Sequence, residues 1–464
     1  MTHSNTIAAI ATPAGRGGVG IVRVSGAAAL GILQALVPNW PDDHPSHKLR
    51  LSRIHDQHGE LVDEALCVFM QGPKTYTGED VVEFQCHGGP IILRRVLDAA
   101  IANGAQTAGP GQFTERAFLN ERIDLTQAEA VADLVEATSV SAHKLAMEHL
   151  QGSLGGKIRR LRELTMEAVT LVESAIDFAH EEHVYQIEHK EVLVRVDEVI
   201  GELEGLKRRF DQGRRQREGV RVVILGPPNA GKSTLFNALH GSERAIVTSV
   251  AGTTRDFLEE EIHLEGVALR VVDTAGLRDS TDEVEKIGIE RSRELQEKAD
   301  LVIWLVDQSQ PLSDDQRRDL EETLARRPSQ NTACVLVRNK TDLPSQLTDS
   351  DRALLERFEH TVTTSFADDQ APQGIGALVT TLATIGEKLT SGEGVLLSRT
   401  RHLECVNRGL ESLTRAKEAV EAGMEHEFVA LDLREGLDAL GDIVGQVSTD
   451  DILNKIFSEF CVGK

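Results

Sequence analysis

The sequence predicts a multidomain chain: an α+β domain at the N-terminus, an all-α helical domain built from two separate segments, and an α/β domain inserted between those segments. Three observations carry this prediction. The pattern Gly226-Pro-Pro-Asn-Ala-Gly231-Lys232-Ser233-Thr234 sits mid-chain between a strand-like and a helix-like stretch. Prolines are missing between Pro110 and Pro227 and again after Pro372, and both stretches carry helical periodicity. The first 118 residues instead show strand patterning punctuated by glycine turns.

In residues 1–118, Thr6-Ile-Ala-Ala-Ile-Ala-Thr12 and Gly20-Ile-Val-Arg-Val-Ser25 read as strands around the turn Pro13–Gly20. Gly15, Gly17 and Gly20 fit G-x-G-x-x-G, but a dinucleotide fingerprint must open a helix, and this loop opens a β-alternating segment. A glycine-rich hairpin is the expectation. Asp80-Val-Val-Glu83-Phe-Gln-Cys86-His87-Gly-Gly89 reads as a further strand ending at a turn. His87 before two glycines raises an oxyanion loop, but no G-x-S-x-G elbow accompanies it. Spacing alone shows no chemistry in this domain.

Helical periodicity follows in residues 119–215. Ala128, Val131, Leu134 and Val135 share one face, then Leu145, Leu150 and Leu154, then Leu161, Leu164, Val169 and Leu171. In residues 387–464, Leu403, Val406, Leu410, Leu413, Val420 and Met424 repeat at helical spacing, and Ser448 stands as N-cap before Ile452-Leu-Asn-Lys-Ile-Phe457. Amphipathic helices need a partner, and domain termini often lie close together. The two segments are therefore expected to form one bundle interrupted by residues 216–386. Three independent units in a row is the competing arrangement.

The inserted segment carries the chemistry. Val220–Leu225 reads as a buried strand and Thr234–His240 as the first turns of a helix. Between them, the backbone of Asn229, Ala230, Gly231 and Thr234 is expected to cradle phosphates above a helix start. Lys232 would reach the β- and γ-phosphates, and the Ser233 hydroxyl would bind Mg²⁺. Asp273-Thr-Ala-Gly276 follows the strand-like Leu269–Val272, placing an Asp for the Mg²⁺ shell and a Gly for the γ-phosphate. Asn339-Lys340-Thr341-Asp342 follows Ala333–Val337 and resembles the guanine-reading set of GTPases. Asp342 would accept both donors of the guanine edge, which adenine lacks; the expectation is GTP. Ile246–Asp256 has the hydroxyls of a phosphate-sensing switch, and its spacing leaves open which Thr completes the Mg²⁺ shell. Leu277 stands where Ras-like proteins place a water-orienting Gln, so other groups must act, from Arg255, Arg278, Glu283 and Glu285.

Charge narrows the partners. The net charge is −24, which opposes non-specific nucleic-acid binding. RNA contact would need a basic partner or a local patch such as Lys207-Arg208-Arg209, Arg214-Arg215, Arg217 and Arg221; the alternative is a solvated helix end and linker. Five scattered cysteines make no C-x-x-C pair, so neither a disulfide framework nor a zinc site is indicated. No signal-peptide pattern is apparent, and no apolar run approaches the roughly 18 residues of a membrane span. The cytoplasm is the expected compartment, with no membrane partner.

With these residues in view, the chain resembles the tRNA-uridine-modification GTPases of the MnmE (TrmE) family. The markers are Thr6–Ile21 at the start, Phe113-Thr-Glu-Arg-Ala-Phe-Leu-Asn120, Gly252-Thr-Thr-Arg-Asp256 and the terminal Phe460-Cys461-Val462-Gly463-Lys464. The resemblance spans essentially the whole length. It implies a folate-binding and dimerising α+β N-terminal domain, a two-part helical domain and an inserted GTPase domain. It also implies a homodimer that joins an FAD-dependent partner protein, as a heterotetramer, to add an aminomethyl or carboxymethylaminomethyl group to C5 of the wobble uridine of tRNA. A tetrahydrofolate, in its 5-formyl or 5,10-methylene form, would supply the one-carbon unit. Facing GTPase domains would close around K⁺.

By the same resemblance, Asn229 would bind K⁺ with Thr248, Val250 and Thr253, and Ser233 and Thr254 would hold Mg²⁺. Glu285 would position the water. Ser365 would belong to the last guanine-contacting loop. Arg23, Glu83, Arg122 and Lys464 correspond to folate-contacting positions. Cys461 is a candidate catalytic thiol or an ordinary residue of an apolar tail. Three departures stand out: Arg122 where Lys is common, Val462 where Ile is commoner, and Ser365-Phe366 where Ser-Ala is usual. Two other readings compete: an RNA-binding ribosome-assembly GTPase, and a folate-dependent aminomethyl carrier that the GTPase only regulates.

Overall fold

The computed structural model describes residues 5–177, 182–241, 245–247, 259–272, 297–325, 332–368, 372–392, 394–446 and 450–464. They fall into two compact units: residues 1–132, 149–201 and 405–464, and residues 133–148 and 202–404.

The first unit is built on a mixed sheet. β1 (Thr6–Ile10), β2 (Gly17–Ser25), β3 (Lys48–His55), β4 (Leu61–Met70), β5 (Val81–Gly88) and β6 (Ala105–Thr107) lie in the order β3-β4-β5-β2-β1-β6. β1 and β2 form the glycine-rich antiparallel hairpin, with Ala9 opposite Arg23. β2 begins earlier than its β-branched run suggests, because Gly17 pairs with Gly88 across an irregularity at Gly17–Gly20. A Cβ at Gly88 would stand 2.5 Å from the Gly17 carbonyl oxygen, so that pairing needs glycine. One sheet face buries Val22, Val24, Phe84, Cys67 and Cys86 against the helices Ala29–Leu36 and Pro90–Ala102.

Helices from both ends of the sequence meet in this unit. Ser153–Asp177 packs along His426–Val444, so segments from before and after the inserted sheet share one bundle. Leu154, Ile158, Leu161, Leu433, Leu437 and Leu440 are buried. At the rim, Arg434 donates to Glu173 at 3.0 Å and Lys417 to Asp197 at 2.7 Å. Two residues depart from the expected apolar stripes: Val135 is 47% exposed in the last turn of Leu125–Glu136, and Met424 lies beyond the end of Thr400–Glu421. Ser448, the expected N-cap, lies outside the described residues; the helix it precedes spans Asp450–Ser458.

The second unit is an α/β sheet. β7 (Val220–Leu225), β8 (Ala245–Val247), β9 (Glu259–Leu264), β10 (Val267–Val272), β11 (Leu301–Asp307), β12 (Ala333–Asn339) and β13 (His360–Thr363) run in the order β13-β12-β11-β7-β10-β9-β8. The strands from β13 to β10 are parallel, and β9 and β8 add antiparallel neighbours. Parallel strands buried on both faces read as unbroken apolar runs, as in Leu301-Val-Ile-Trp-Leu-Val306. One face packs Val222, Ile224, Ile303 and Leu382, and the other Val223, Trp304 and Leu336.

The basic run divides: Lys207 and Arg208 are exposed in the last turn of the helix Glu182–Arg208, whereas Arg214, Arg215, Arg217 and Arg221 are held in ion pairs. Arg214 and Arg215 both bind the buried Asp300, at 2.6 and 2.8 Å. Arg217 binds Asp133 at 2.8 Å and Arg221 binds Glu218 at 2.9 Å. These guanidinium groups fasten the helix Phe210–Glu218 within the unit.

Candidate functional site

The phosphate loop leaves β7 at Leu225 and ends on the helix Lys232–His240. Its shape demands particular residues. A Cβ at Gly226 (φ +145°) would run into the Leu305 carbonyl, and one at Gly231 (φ +103°) would stand 2.5 Å from Asn339 Nδ2. Asn229 sits in the left-handed region at φ +61°, which Asn tolerates better than most residues. Ala230 is buried, Thr234 half-buried, and Ser233 exposed on the helix's first turn. The buried Lys232 donates from Nζ to the carbonyl oxygens of Gly226 and Pro227, at 3.0 and 2.8 Å. A loop of this shape over a helix start, with an ammonium inside it, is built for an anion.

The residues expected to read the base stand beside it, since β12 is separated from β7 only by β11. Asn339, buried at the end of β12, donates from Nδ2 to Ala230 O at 2.8 Å and accepts from Thr364 Oγ1 at 3.2 Å. Lys340 (φ +60°) reaches Asp307 at 2.6 Å. Burial pushes the Asp307 carboxyl up, but hydrogen bonds from Lys340 and Ser309 outweigh it and hold it below its ordinary range. Ser365 donates to Asp342 Oδ1 at 2.6 Å, and its backbone pairs with Gln373. Phe366 approaches the space above Gly231. Asp307 and Thr364 were not singled out in the sequence; Asp307 could have been, as an acid closing an apolar strand.

Thr248, Val250, Thr253, Thr254, Arg255, Asp273, Gly276, Leu277, Arg278, Glu283 and Glu285 lie outside the described residues.

A second cluster forms in the other unit, where the C-terminus folds back on the N-terminal sheet. Phe457 and Phe460 pack with Phe118 and Leu125. Val462 then bridges Pro110, the Gly111 N–H donates to Cys461 O at 3.4 Å, and the Phe113 N–H donates to Lys464 O at 3.2 Å. Gly463 (φ +95°) lies so close to β1 that a Cβ would meet Ile10 O at 2.5 Å. Arg23 donates to Glu83 at 2.9 Å and to Gly463 O at 3.4 Å, and lies over the Phe113 ring at 5.7 Å. Burial lowers the Lys464 ammonium from its ordinary value, with Cys461 opposing and Arg23 adding to the shift. Cys461 itself is exposed. Arg23, Glu83 and Lys464 thus come together. Arg122 contacts none of these three directly among the described hydrogen bonds and ion pairs; it donates instead from Nε to Thr75 O at 3.2 Å. Phe113, Thr114 and Tyr76 join this cluster without a spacing signal that marks them.

Two family models match the chain: the GTP-binding protein TrmE N-terminus over residues 6–122 and the MnmE helical domain over residues 125–461. The tRNA modification GTPase MnmE of Pseudomonas syringae pv. tomato is 43% identical over 460 residues, covering 99% of each chain. This chain belongs to the MnmE family of tRNA modification GTPases. Other MnmE relatives agree along the full length: that of Aquifex aeolicus is 41% identical, covering 99% of each chain, and that of Geobacillus thermodenitrificans 39% identical, covering 100% of each. The MnmE helical model brackets the inserted sheet, running on both sides of β7–β13. Among the described residues, no helix is long and apolar enough to cross a membrane.

Proposed function

We propose that this chain hydrolyses GTP to drive modification of the wobble uridine of tRNA at C5, adding an aminomethyl or carboxymethylaminomethyl group together with an FAD-dependent partner protein. The observation that carries the reading is the pairing of a guanine-type phosphate loop with a C-terminal tail seated on the N-terminal sheet, in a chain whose relatives match end to end.

In the nucleotide site, Lys232 exchanges its carbonyl partners for the β- and γ-phosphate oxygens, and the loop N–H groups hold the remainder. Asp342 accepts from the guanine edge while Ser365 fixes its other oxygen. Ser233 and Thr254 would hold Mg²⁺ with help from Asp273, and Gly276 would serve the γ-phosphate. Asn229, the backbone oxygens of Thr248 and Val250, and Thr253 would hold K⁺. When bound, K⁺ supplies the positive charge that an arginine finger provides elsewhere. Glu285 orients the attacking water in place of the Gln that Leu277 replaces, and Arg255 is the further catalytic candidate of the switch. Closure of two such domains within a homodimer activates hydrolysis.

At the tail cluster, the chemistry of the residues fits a reduced folate. Arg23, Arg122 and Lys464 offer cations for its carboxylates, and Glu83 offers an acceptor for its amino-pyrimidine edge. When bound, the folate, in its 5-formyl or 5,10-methylene form, supplies the one-carbon unit. Cys461, exposed beside this cluster, is the candidate thiol there. The assembly is a heterotetramer with the flavoprotein, working in the cytoplasm. The ribosome-assembly reading loses support because Arg214, Arg215 and Arg217, the larger part of the basic run it needed, are engaged in ion pairs.

Wobble-nucleoside analysis of tRNA from cells lacking this protein tests the proposal. Loss of the C5 substituent, restored by the intact chain and not by one ending before Cys461, is expected. Unchanged wobble nucleosides would remove the function.

A further inference from the structure

We propose that Tyr76 stacks on the flat heterocycle of the reduced folate beside the C-terminal tail; this rests on the folate reading above. The turn Thr75–Glu79 is held rigid from several sides. Thr75 Oγ1 donates to Glu79 O at 2.6 Å, Asn120 Nδ2 to Thr77 O at 2.7 Å, and Arg122 Nε to Thr75 O at 3.2 Å. Thr77 shares a hydrogen bond with Ser25 at 2.8 Å, and Gly78 takes φ +78° with Asn120 and Arg122 packed against it. On this fixed turn Tyr76 keeps 39% of its surface exposed, while its hydroxyl pairs with Thr114 Oγ1 at 2.8 Å. Thr114 follows Phe113, the ring that Arg23 covers. Burial pushes the Tyr76 phenol up from its ordinary value, opposed by the Thr114 hydrogen bond and, less, by the Arg23 charge.

The turn therefore presents one partly open aromatic ring, anchored at its tip, within reach of Arg23 and one residue from the Arg122 contact. A solvent-facing tyrosine of no consequence needs neither the anchored hydroxyl nor the pinned turn. A ring fixed beside guanidinium groups suits a ligand that is flat at one end and carboxylated at the other.

Calorimetric titration of the full-length protein with 5-formyltetrahydrofolate tests this, with Tyr76→Phe, Tyr76→Leu and Tyr76→Ala beside the unaltered chain. Tyr76→Ala and Tyr76→Leu are expected to bind about tenfold or more weakly, the scale of one lost stacking contact. Tyr76→Phe keeps the ring and is expected to stay within about threefold of the unaltered chain. GTP hydrolysis is expected to be unchanged in all three. If Tyr76→Leu binds as tightly as Tyr76→Phe, or if Tyr76→Phe is as weak as Tyr76→Ala, stacking is overturned while the folate reading stands. If the unaltered chain itself does not bind, the folate reading falls and this inference with it.

Discussion

Asn339 donates from its side-chain amide to the backbone oxygen of Ala230 at 2.8 Å, so the residue that opens the guanine motif also holds the phosphate loop. Thr364 completes the arrangement by donating to Asn339 Oδ1. Base recognition and phosphate binding are thereby joined by one buried amide. Asn339→Ala leaves the Ala230 carbonyl without this donor, a loss of about 1–3 kcal/mol. Nucleotide affinity is expected to fall by about tenfold or more, for GDP and GTP alike, in a fluorescent-nucleotide titration. Unchanged affinity would show that the loop holds its shape without this tie.

Ser365 acts one step further from the loop, by fixing one oxygen of Asp342 at 2.6 Å. Ser365→Ala is expected to weaken GTP binding about tenfold, since a hydrogen bond to a charged group is lost. Inosine triphosphate, which lacks the exocyclic amine that Asp342 reads, is expected to suffer less. Equal losses for both nucleotides would mean that Ser365 supports the loop rather than Asp342.

Gly463 offers a way to separate the two sites. Its φ of +95° and the contact a Cβ would make with Ile10 O leave no room for a side chain. Gly463→Ala is expected to displace the last residues, cutting wobble-uridine modification severely while GTP hydrolysis stays within about twofold, because the nucleotide site lies in the other unit. Full modification by this variant would detach the tail from the chemistry.

Asn229 is the described member of the proposed K⁺ site. Hydrolysis is expected to run much faster in KCl than in NaCl, and Asn229→Ala to erase the difference. The substitution also places Ala at φ +61°, so its thermal unfolding should be followed in parallel. Equal rates for the unaltered chain in both salts would exclude the cation role.

Acid stability of the nucleotide-binding unit is expected to depend on Asp351. Burial pushes its carboxyl up, but Arg317 and the N–H groups of Thr348 and Leu312 outweigh burial and hold it at about 2, against an ordinary 3.8. A depressed value in the folded state means that the stabilisation is complete above the unfolded value, from about pH 5 upward, and is lost as pH falls towards 2. Its size is about 1–2 kcal/mol after allowance for screening. Comparing urea unfolding of the unaltered chain with Asp351→Asn should show a gap at pH 7 that narrows below about pH 4 and is largely closed at pH 2. A gap that persists at pH 2 would assign the effect to packing.

Much of the nucleotide site was legible in the sequence because its signals are local. Strand, loop and helix follow one another without a break from Val220 to His240, and the observed β7 has the expected bounds. The base-reading motif likewise closes the apolar strand β12. Stripes were less secure at helix ends: Val135 and Met424 fit the period but lie where the packed face runs out. Arg214, Arg215 and Arg217 looked like part of a patch because their partners are remote; Asp300 follows Arg215 by 85 residues. Tyr76 carried no signal, since its meaning depends on Thr114 and Arg23, neither near it in the chain.

By itself the sequence determined where a strand, a glycine loop and a helix follow one another, which motif closes β12, and that helices on both sides of the inserted sheet need each other. Those properties arise from residues within a turn or a strand of one another, where chemistry and spacing suffice. The tertiary structure alone decided that Asn339 grips Ala230, that Asp300 absorbs Arg214 and Arg215, and that Gly463 rests on Ile10 beside Arg23 and Glu83. Each of those contacts joins residues tens to hundreds of positions apart. A hydrogen bond or a close packing contact exists only once strand order and helix packing have brought its two halves within a few ångströms.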